Sequence, residues 1–240
     1  IRLVNLTTGV ISTAAGGGGG NGFLDNCLAT AALLNNPRGV AALPDGSAYL
    51  VADLSNHRLR RIDRATGMIS TVAGDGTASS LSALVATSGR LKGPVSVAVD
   101  PATPGDFYIG ERDVNRISVR LTNGSLVRFA GTGVASSTGD GGPALLATIN
   151  GPRGIAFGAS GQLFVADFDS NRVRVIWANR TIDTYACSGT TGFSGDGGAS
   201  SACATARLSC RHRRDNARAC ACAAQVMRRR QPATGLSASQ

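Results

Sequence analysis

Three prolines, Pro37, Pro94 and Pro152, stand 57 and 58 residues apart, each at the head of the same succession of residues. A period of that length restricts the chain to architectures in which like units stack on like units. The clearest copy is 150–176. Its short apolar run 154–157 is turned by Ala159-Ser160-Gly161 into a second run, 162–166, and the two read as a hairpin. A polar connection, 167–171, leads into Arg172-Val173-Arg174-Val175-Ile176, whose alternation predicts a third strand with one wet face.

Other positions recur with the prolines. The acid closing the second strand repeats as Asp53, Glu111 and Asp167, and the amide opening the third as Asn56, Asn115 and Asn171. A fourth run, 68–74, has counterparts at 125–131, 181–186 and 10–16. Each period therefore holds four strands, and four antiparallel strands per repeat are the mark of a β-propeller blade. The predicted class is all-β. Residues 1–16 supply only a third and a fourth strand, so the expectation is an open arc of about three blades plus a half-blade.

The tracts PRGVAALPDGSAYLVADLSNHRLRRID, TGMISTVAGDG and GDGGPALLATINGPRGIAF resemble NHL-repeat propellers. The resemblance covers residues 1 to about 208, with repeats expected at about 1–35, 36–92, 93–150 and 151–208. Residues 209–240, rich in Arg, Ala and Cys and without a repeat anchor, are expected to be a disordered tail. The family implies three kinds of function: extracellular adhesion or sensing domains, RNA-binding modules of cytoplasmic regulators, and zinc-dependent lyases. Fold alone does not choose among them.

Net charge is +9, but residues 207–240 hold eight arginines against one acid, Asp215, which leaves +2 for the other 206 residues. A near-neutral propeller offers little to phosphate, although the basic tail could attract nucleic acid non-specifically. The connections between second and third strands carry acids in all three repeats, which also disfavours an RNA-stacking face. Apolar runs are only a few residues long, so no membrane span is expected.

A lyase-type zinc site would need three protein donors, whereas the only histidines are His57 and His212. Cys220 and Cys222 lack the spacing of a zinc knuckle, and the GDGG tracts at 139 and 195 lack the strand and Lys-Ser/Thr of a phosphate loop. No catalytic residue, metal or cofactor is expected. Asp53, Glu111 and Asp167, with Asn56, Asn115 and Asn171, read as structural turn residues, each acid accepting N–H groups of its own turn. Arg58, Arg116 and Arg172 read as part of a solvated face.

Long segments join consecutive blades at 16–36, 74–93, 131–151 and 189–208, each with a Gly-rich half and an apolar half. Ordered loops of such length usually have a purpose. They share an end of the blades with the acid-bearing connections, so a protein partner is expected to dock there, with Leu145, Leu146, Phe168 and Phe193 as contacts. The other reading is that Leu145 or Leu146 tucks beneath its own loop. Cys187 and Cys203 bracket the last of these loops and are expected to form a disulfide, leaving Cys27 unpaired. Sequons at Asn5, Asn123 and Asn179 fall near the turn before the fourth strand and are candidate glycosylation sites. The expectation is a non-catalytic, extracellular or cell-surface interaction module; the alternatives are a cytoplasmic RNA-binding propeller and, third, a lyase.

Overall fold

The structure, a computed structural model, describes residues 1–17 and 22–192. Strands β1 (Arg2–Val4) and β2 (Ile11–Thr13) form a two-stranded sheet. The first full blade follows: a two-residue β3 (Cys27–Leu28), then β4 (Pro37–Ala42), β5 (Ala48–Asp53), β6 (Arg58–Asp63) and β7 (Met68–Ala73). The middle blade has β8 (Pro94–Val99), β9 (Phe107–Glu111), β10 (Arg116–Arg120) and β11 (Leu126–Ala130). The last has β12 (Gly142–Pro143), β13 (Pro152–Phe157), β14 (Leu163–Asp167), β15 (Arg172–Ile176) and β16 (Thr181–Ala186).

Within every sheet neighbouring strands are antiparallel, in the orders β3-β7-β6-β5-β4, β11-β10-β9-β8 and β12-β16-β15-β14-β13. The first strands β4, β8 and β13 lie beside one another, and among the described residues the four sheets succeed each other without closing into a ring. The chain is an all-β partial propeller of four-stranded blades.

Three apolar cores lie between consecutive sheets. One joins the half-blade to the first full blade through Val51, Ile62 and Ile69. The second packs Leu50 and Leu59 against Val97, Phe107 and Ile109. The third joins Ile117, Val119 and Phe129 to Leu163, Val165 and Ile176, with Tyr108 edge-on to Phe129 at 4.8 Å and to Phe157 at 4.9 Å. Each fully buried Ile or Leu contributes roughly 1.5–3 kcal/mol.

The long connecting segments belong to these cores. Alanine recurs eight residues before each proline, as Ala29, Ala86 and Ala144, and all three are buried. Ala147 and Ile149 fill the same seam as Ala144, while Leu145 is 43% and Leu146 72% exposed. The leucines are thus not tucked beneath their loop: at a crowded seam the small alanine is what lets the two backbones approach. The peptide groups of Ala29, Ala86 and Ala144 also staple blade to blade. Their carbonyls accept from Gly16, Gly74 and Gly131 after one fourth strand, and their N–H groups donate to the carbonyls of Gly67, Gly124 and Arg180 before the next. The segments begin and end beside the acid-bearing connections but in between run along the outermost strand of the following blade. There β3 pairs with β7, β12 with β16, and Ala83 bridges to Leu126.

A register shift recurs near the start of each third strand, between Leu59 and Arg60, Ile117 and Ser118, and Val173 and Arg174. Such a bulge redirects the side chain that follows it. Here it turns Arg60 and Arg174 fully inward, at 0% exposure, and Ser118 with them. The alternation of this strand therefore does not give a wet face: β15 lies between β14 and β16 rather than at the edge, and Arg174 is core.

Candidate functional site

The end of the blades that carries the second-to-third-strand connections gathers the recurring polar residues. Each connection is a single 3-10 turn, 54–56, 112–114 or 168–170, closed by a residue in the left-handed region: His57 (φ 52°), Asn115 (φ 52°) and Asn171 (φ 53°). Asn and His tolerate this conformation better than most residues. In the first blade, then, the partner of Asn115 and Asn171 is His57, and Asn56 stands one place earlier. These side chains reach the next blade. His57 Nδ1 accepts from Gly93 N–H at 3.4 Å, and Asn115 Oδ1 from Gly151 N–H at 2.8 Å. Gly93 and Gly151 have φ of 64° and 63°, and a Cβ on either would run into the carboxylate of Asp113 or Asp169.

The acids do not cap their own turns. Asp53 Oδ1 accepts from Asn35 N–H at 2.8 Å, Glu111 Oε2 from Lys92 N–H at 2.8 Å and Asp167 Oδ1 from Asn150 N–H at 2.7 Å. All three donors lie two residues before the blade's proline, so the acid anchors the end of the long segment, whose N–H has no strand partner. The other oxygen of Asp53 accepts from Asn56 Nδ2 at 2.8 Å and from Arg60 at 3.3 Å, and Arg60 also pairs with Asp25 at 2.8 Å. Asp167 repeats the arrangement. It accepts from Ser137 Oγ at 2.6 Å and from Arg174 at 3.5 Å, and Arg174 pairs with Asp140, which in turn accepts from Thr184 Oγ1 at 2.7 Å. The Asp of the GDGG tract at 139 is thus a clasp over a buried arginine, not a phosphate loop.

The middle blade has no such arginine. Glu111 is fully buried and is bonded by the hydroxyls of Ser118 and Ser80. Burial pushes Asp53, Glu111 and Asp167 all upward, while hydrogen bonds pull each back. A guanidinium adds to that pull in each blade, Arg60 and Arg174 at contact distance from Asp53 and Asp167, and Arg116 from beyond contact on Glu111.

Phe168 is half-buried and stacks on the guanidinium of Arg153 at 3.5 Å. Phe168 and the exposed Leu145 and Leu146 are the expected contacts that the structure describes, but they do not share one end of the blade: Phe168 follows β14, whereas Leu145 and Leu146 follow Ala144, whose N–H donates to Arg180 in the turn before β16, at the opposite end. Phe193 lies outside the described residues, as do Cys203 and residues 209–240. Cys27 is free and half-buried, and Cys187 is buried at 5%. Asn5, Asn123 and Asn179 are exposed, Asn123 and Asn179 accepting from the backbone and hydroxyl of Ser125 and Thr181, and Asn5 from the N–H of Thr7. Among the described residues no group of three or more His, Cys, Asp or Glu is placed to hold a metal ion, and no helix is long and apolar enough to cross a membrane.

The family model of the NHL repeat matches residues 150–176. Teneurin-m of Drosophila melanogaster is 34% identical over 176 residues, 68% of this chain and 6% of that protein. Teneurin-3 of Danio rerio is 27% identical over 162 residues, 63% of this chain and 6% of that protein. The matched stretch thus spans about 6% of the length of each of these two curated relatives. Among solved structures, an auxiliary nutrient binding protein from Bacteroides thetaiotaomicron superposes with a TM-score of 0.51 at 19% identity, over 68% of this chain and 39% of that one. Another, from Bacteroides ovatus, gives 0.50 at 24% identity over 62% and 37%. Those two likenesses bear on fold alone. The matched repeat and the 34% identity to Teneurin-m, together with the four-stranded blades and the recurring acids, make this chain a member of the NHL-repeat β-propeller family.

Proposed function

We propose that the chain is a non-catalytic interaction module, extracellular or at the cell surface, that binds a protein partner through the exposed apolar side chains of its long segments and of its second-to-third-strand connections. The observation that carries this reading is the division of labour at 144–149. The alanines and Ile149 hold the seam, and Leu145 and Leu146 face solvent beside it with no packing role that would explain them. Phe168, stiffened by its Arg153 stack, is a third apolar contact, and Phe193 a fourth. The recurring acids support the non-catalytic part, since both oxygens of each are engaged by protein donors and none is left to act on a substrate.

The test is a binding screen of the whole chain against displayed cell-surface and secreted proteins, repeated with Leu145→Ser, Leu146→Ser and Phe168→Ala combined. A partner bound by the parent chain and lost by the variant, with the melting transition unchanged, supports the reading. A chain that instead shifts RNA with a steep salt dependence overturns it. The compartment is tested separately, by the mass lost on enzymatic deglycosylation at Asn5, Asn123 and Asn179 after secretion. Non-reducing peptide mapping tests for a Cys187–Cys203 disulfide.

A further inference from the structure

The three arginines that open the third strands, Arg58, Arg116 and Arg172, occupy equivalent places but not equivalent surroundings. Over Arg58 lies the ring of Phe23, 3.5 Å from the guanidinium carbon, and the guanidinium donates to the carbonyls of Asn56 and Asp75 at 3.1 and 2.6 Å. Arg172 donates to the carbonyls of Ser137 and Ser188, both at 3.2 Å. Arg116 makes a single bond among the described residues, to the carbonyl of Thr132, at 3.5 Å. The segment that precedes its blade places neither a ring nor a carbonyl over it. What remains there is a hollow of about 350 Å³, lined by Arg116, Lys92, Ser79, Ser80 and Asp113 among others.

We propose that this hollow is a binding site for a carboxylate, held between the Arg116 guanidinium and the Lys92 ammonium, with the Ser79 hydroxyl as a further donor. A guanidinium offers two parallel N–H groups to a carboxylate, and here they are not already spent on the protein, as they are in the neighbouring blades. Ser80 is committed, since its hydroxyl donates to Glu111. Charge selects the class of ligand. Asp113 on the wall is paired with Arg112 at 2.7 Å, and Glu111 lies beneath. Among the side chains that line the hollow, two cations, Arg116 and Lys92, face one carboxylate, Asp113, so one further negative charge balances the lining whereas a phosphate dianion overfills it. The volume admits more than a bare carboxylate, as an amino-acid side chain or a small organic acid would require. The carboxylate could be that of a free small acid or the Asp or Glu of a docking protein. Only the second source rests on the protein-binding reading above.

The experiment is an amide-resolved NMR titration of the whole chain with sodium acetate and, separately, with capped glutamate, each at ionic strength matched by sodium chloride. Saturable shifts at Ser79, Ser80 and Gly133 are expected. They should weaken at least tenfold in Arg116→Gln with Lys92→Gln, and persist in Arg172→Gln, whose place is already filled. Spectra elsewhere in each variant report whether the fold is intact. Binding of acetate and capped glutamate alike supports the free acid as source, and binding of capped glutamate alone supports the acidic side chain of a partner. Equal shifts with chloride, tighter binding of inorganic phosphate than of acetate, or shifts indifferent to the double variant overturn the assignment. Should Leu145, Leu146 and Phe168 prove irrelevant to partner binding while acetate still binds, only the protein-binding reading falls.

Discussion

The middle blade and the two that flank it solve one problem differently. Each must hold a buried carboxylate that anchors the end of a long segment. The flanking blades add a guanidinium, Arg60 or Arg174, and a second carboxylate from the segment, Asp25 or Asp140. The middle blade has lost both members at once: Ser118 stands for the arginine, and Ser82, twelve residues before Pro94, stands where Asp25 and Asp140 precede Pro37 and Pro152. A buried arginine without the segment's acid, or that acid left without the arginine, is unfavourable, so those two are present or absent together, while Glu111 is held instead by two hydroxyls and a backbone N–H. The result is two blades locked by charge and one held by neutral hydroxyls. It is the hydroxyl-held blade that has room over its third-strand arginine.

The sharpest way to break this comparison is Arg174→Met. It leaves Asp167 buried with only Ser137 and Asn150 as donors, and we expect a loss of about 3–5 kcal/mol in urea unfolding. Adding Asp167→Asn should restore most of it, by removing the buried charge left without its cation. A double variant no better than the single one would mean that the arginine acts by packing, not by charge.

Glu111→Gln tests the middle blade through pH. Burial raises the folded pKa of Glu111 above its unfolded value. Below the ordinary glutamate range both states are protonated and the parent chain is at its most stable with respect to this group. As pH rises, the unfolded state ionises first, and stability is lost until the folded pKa is passed. The Gln variant cannot ionise, and its oxygen can accept from Lys92 N–H while its amide donates to Ser80 and Ser118. It should equal the parent chain near pH 4 and exceed it increasingly toward neutrality, by a margin of order 1 kcal/mol or more for each pKa unit of elevation. Parallel stability profiles would show that Glu111 ionises as easily inside as out.

Much of this architecture was legible from periodicity. Pro37, Pro94 and Pro152 mark the first strands, and the acids mark the ends of the second. What escaped was set by contacts between repeats. Residue type pairs Asn56 with Asn115, but distance to the following arginine selects His57, the residue that adopts the left-handed turn. The burial of Arg60 and Arg174 depends on a bulge, which local alternation does not show; the accompanying Asp25 and Asp140 were a signal at a distance. The alanines that staple the blades were hidden because Leu145 and Leu146, more apolar, lie beside Ala144. Apolarity ranks them for the core, but the space between two backbones decides.

Asp140→Asn probes the strap of the last blade with a smaller effect. The side chain of Asp140 is 47% exposed, and Arg174 keeps Asp167 when the charge is removed. Solvent screening limits the loss to about 1 kcal/mol. The effect should be local: faster hydrogen exchange at Gly141, whose N–H donates to Ile182 O and Asp183, with little change at Val165 in the core. Uniformly faster exchange across the blade would make the clasp a global element.

The smallest effect on stability is expected at Leu146. Its side chain is 72% exposed and lies one residue from Ala147, which is 1% exposed and packs in the seam with Ala144 and Ile149. Leu146→Ser therefore removes little buried area and should shift unfolding by less than about 0.5 kcal/mol. Ala147→Leu, its reciprocal, forces three extra carbons into a closed seam and should cost about 1–3 kcal/mol. Measured side by side, the pair separates surface from structure within one turn of chain. If Leu146→Ser destabilises as much as Ala147→Leu, the leucine is structural, and it loses its place among the contacts available to a partner.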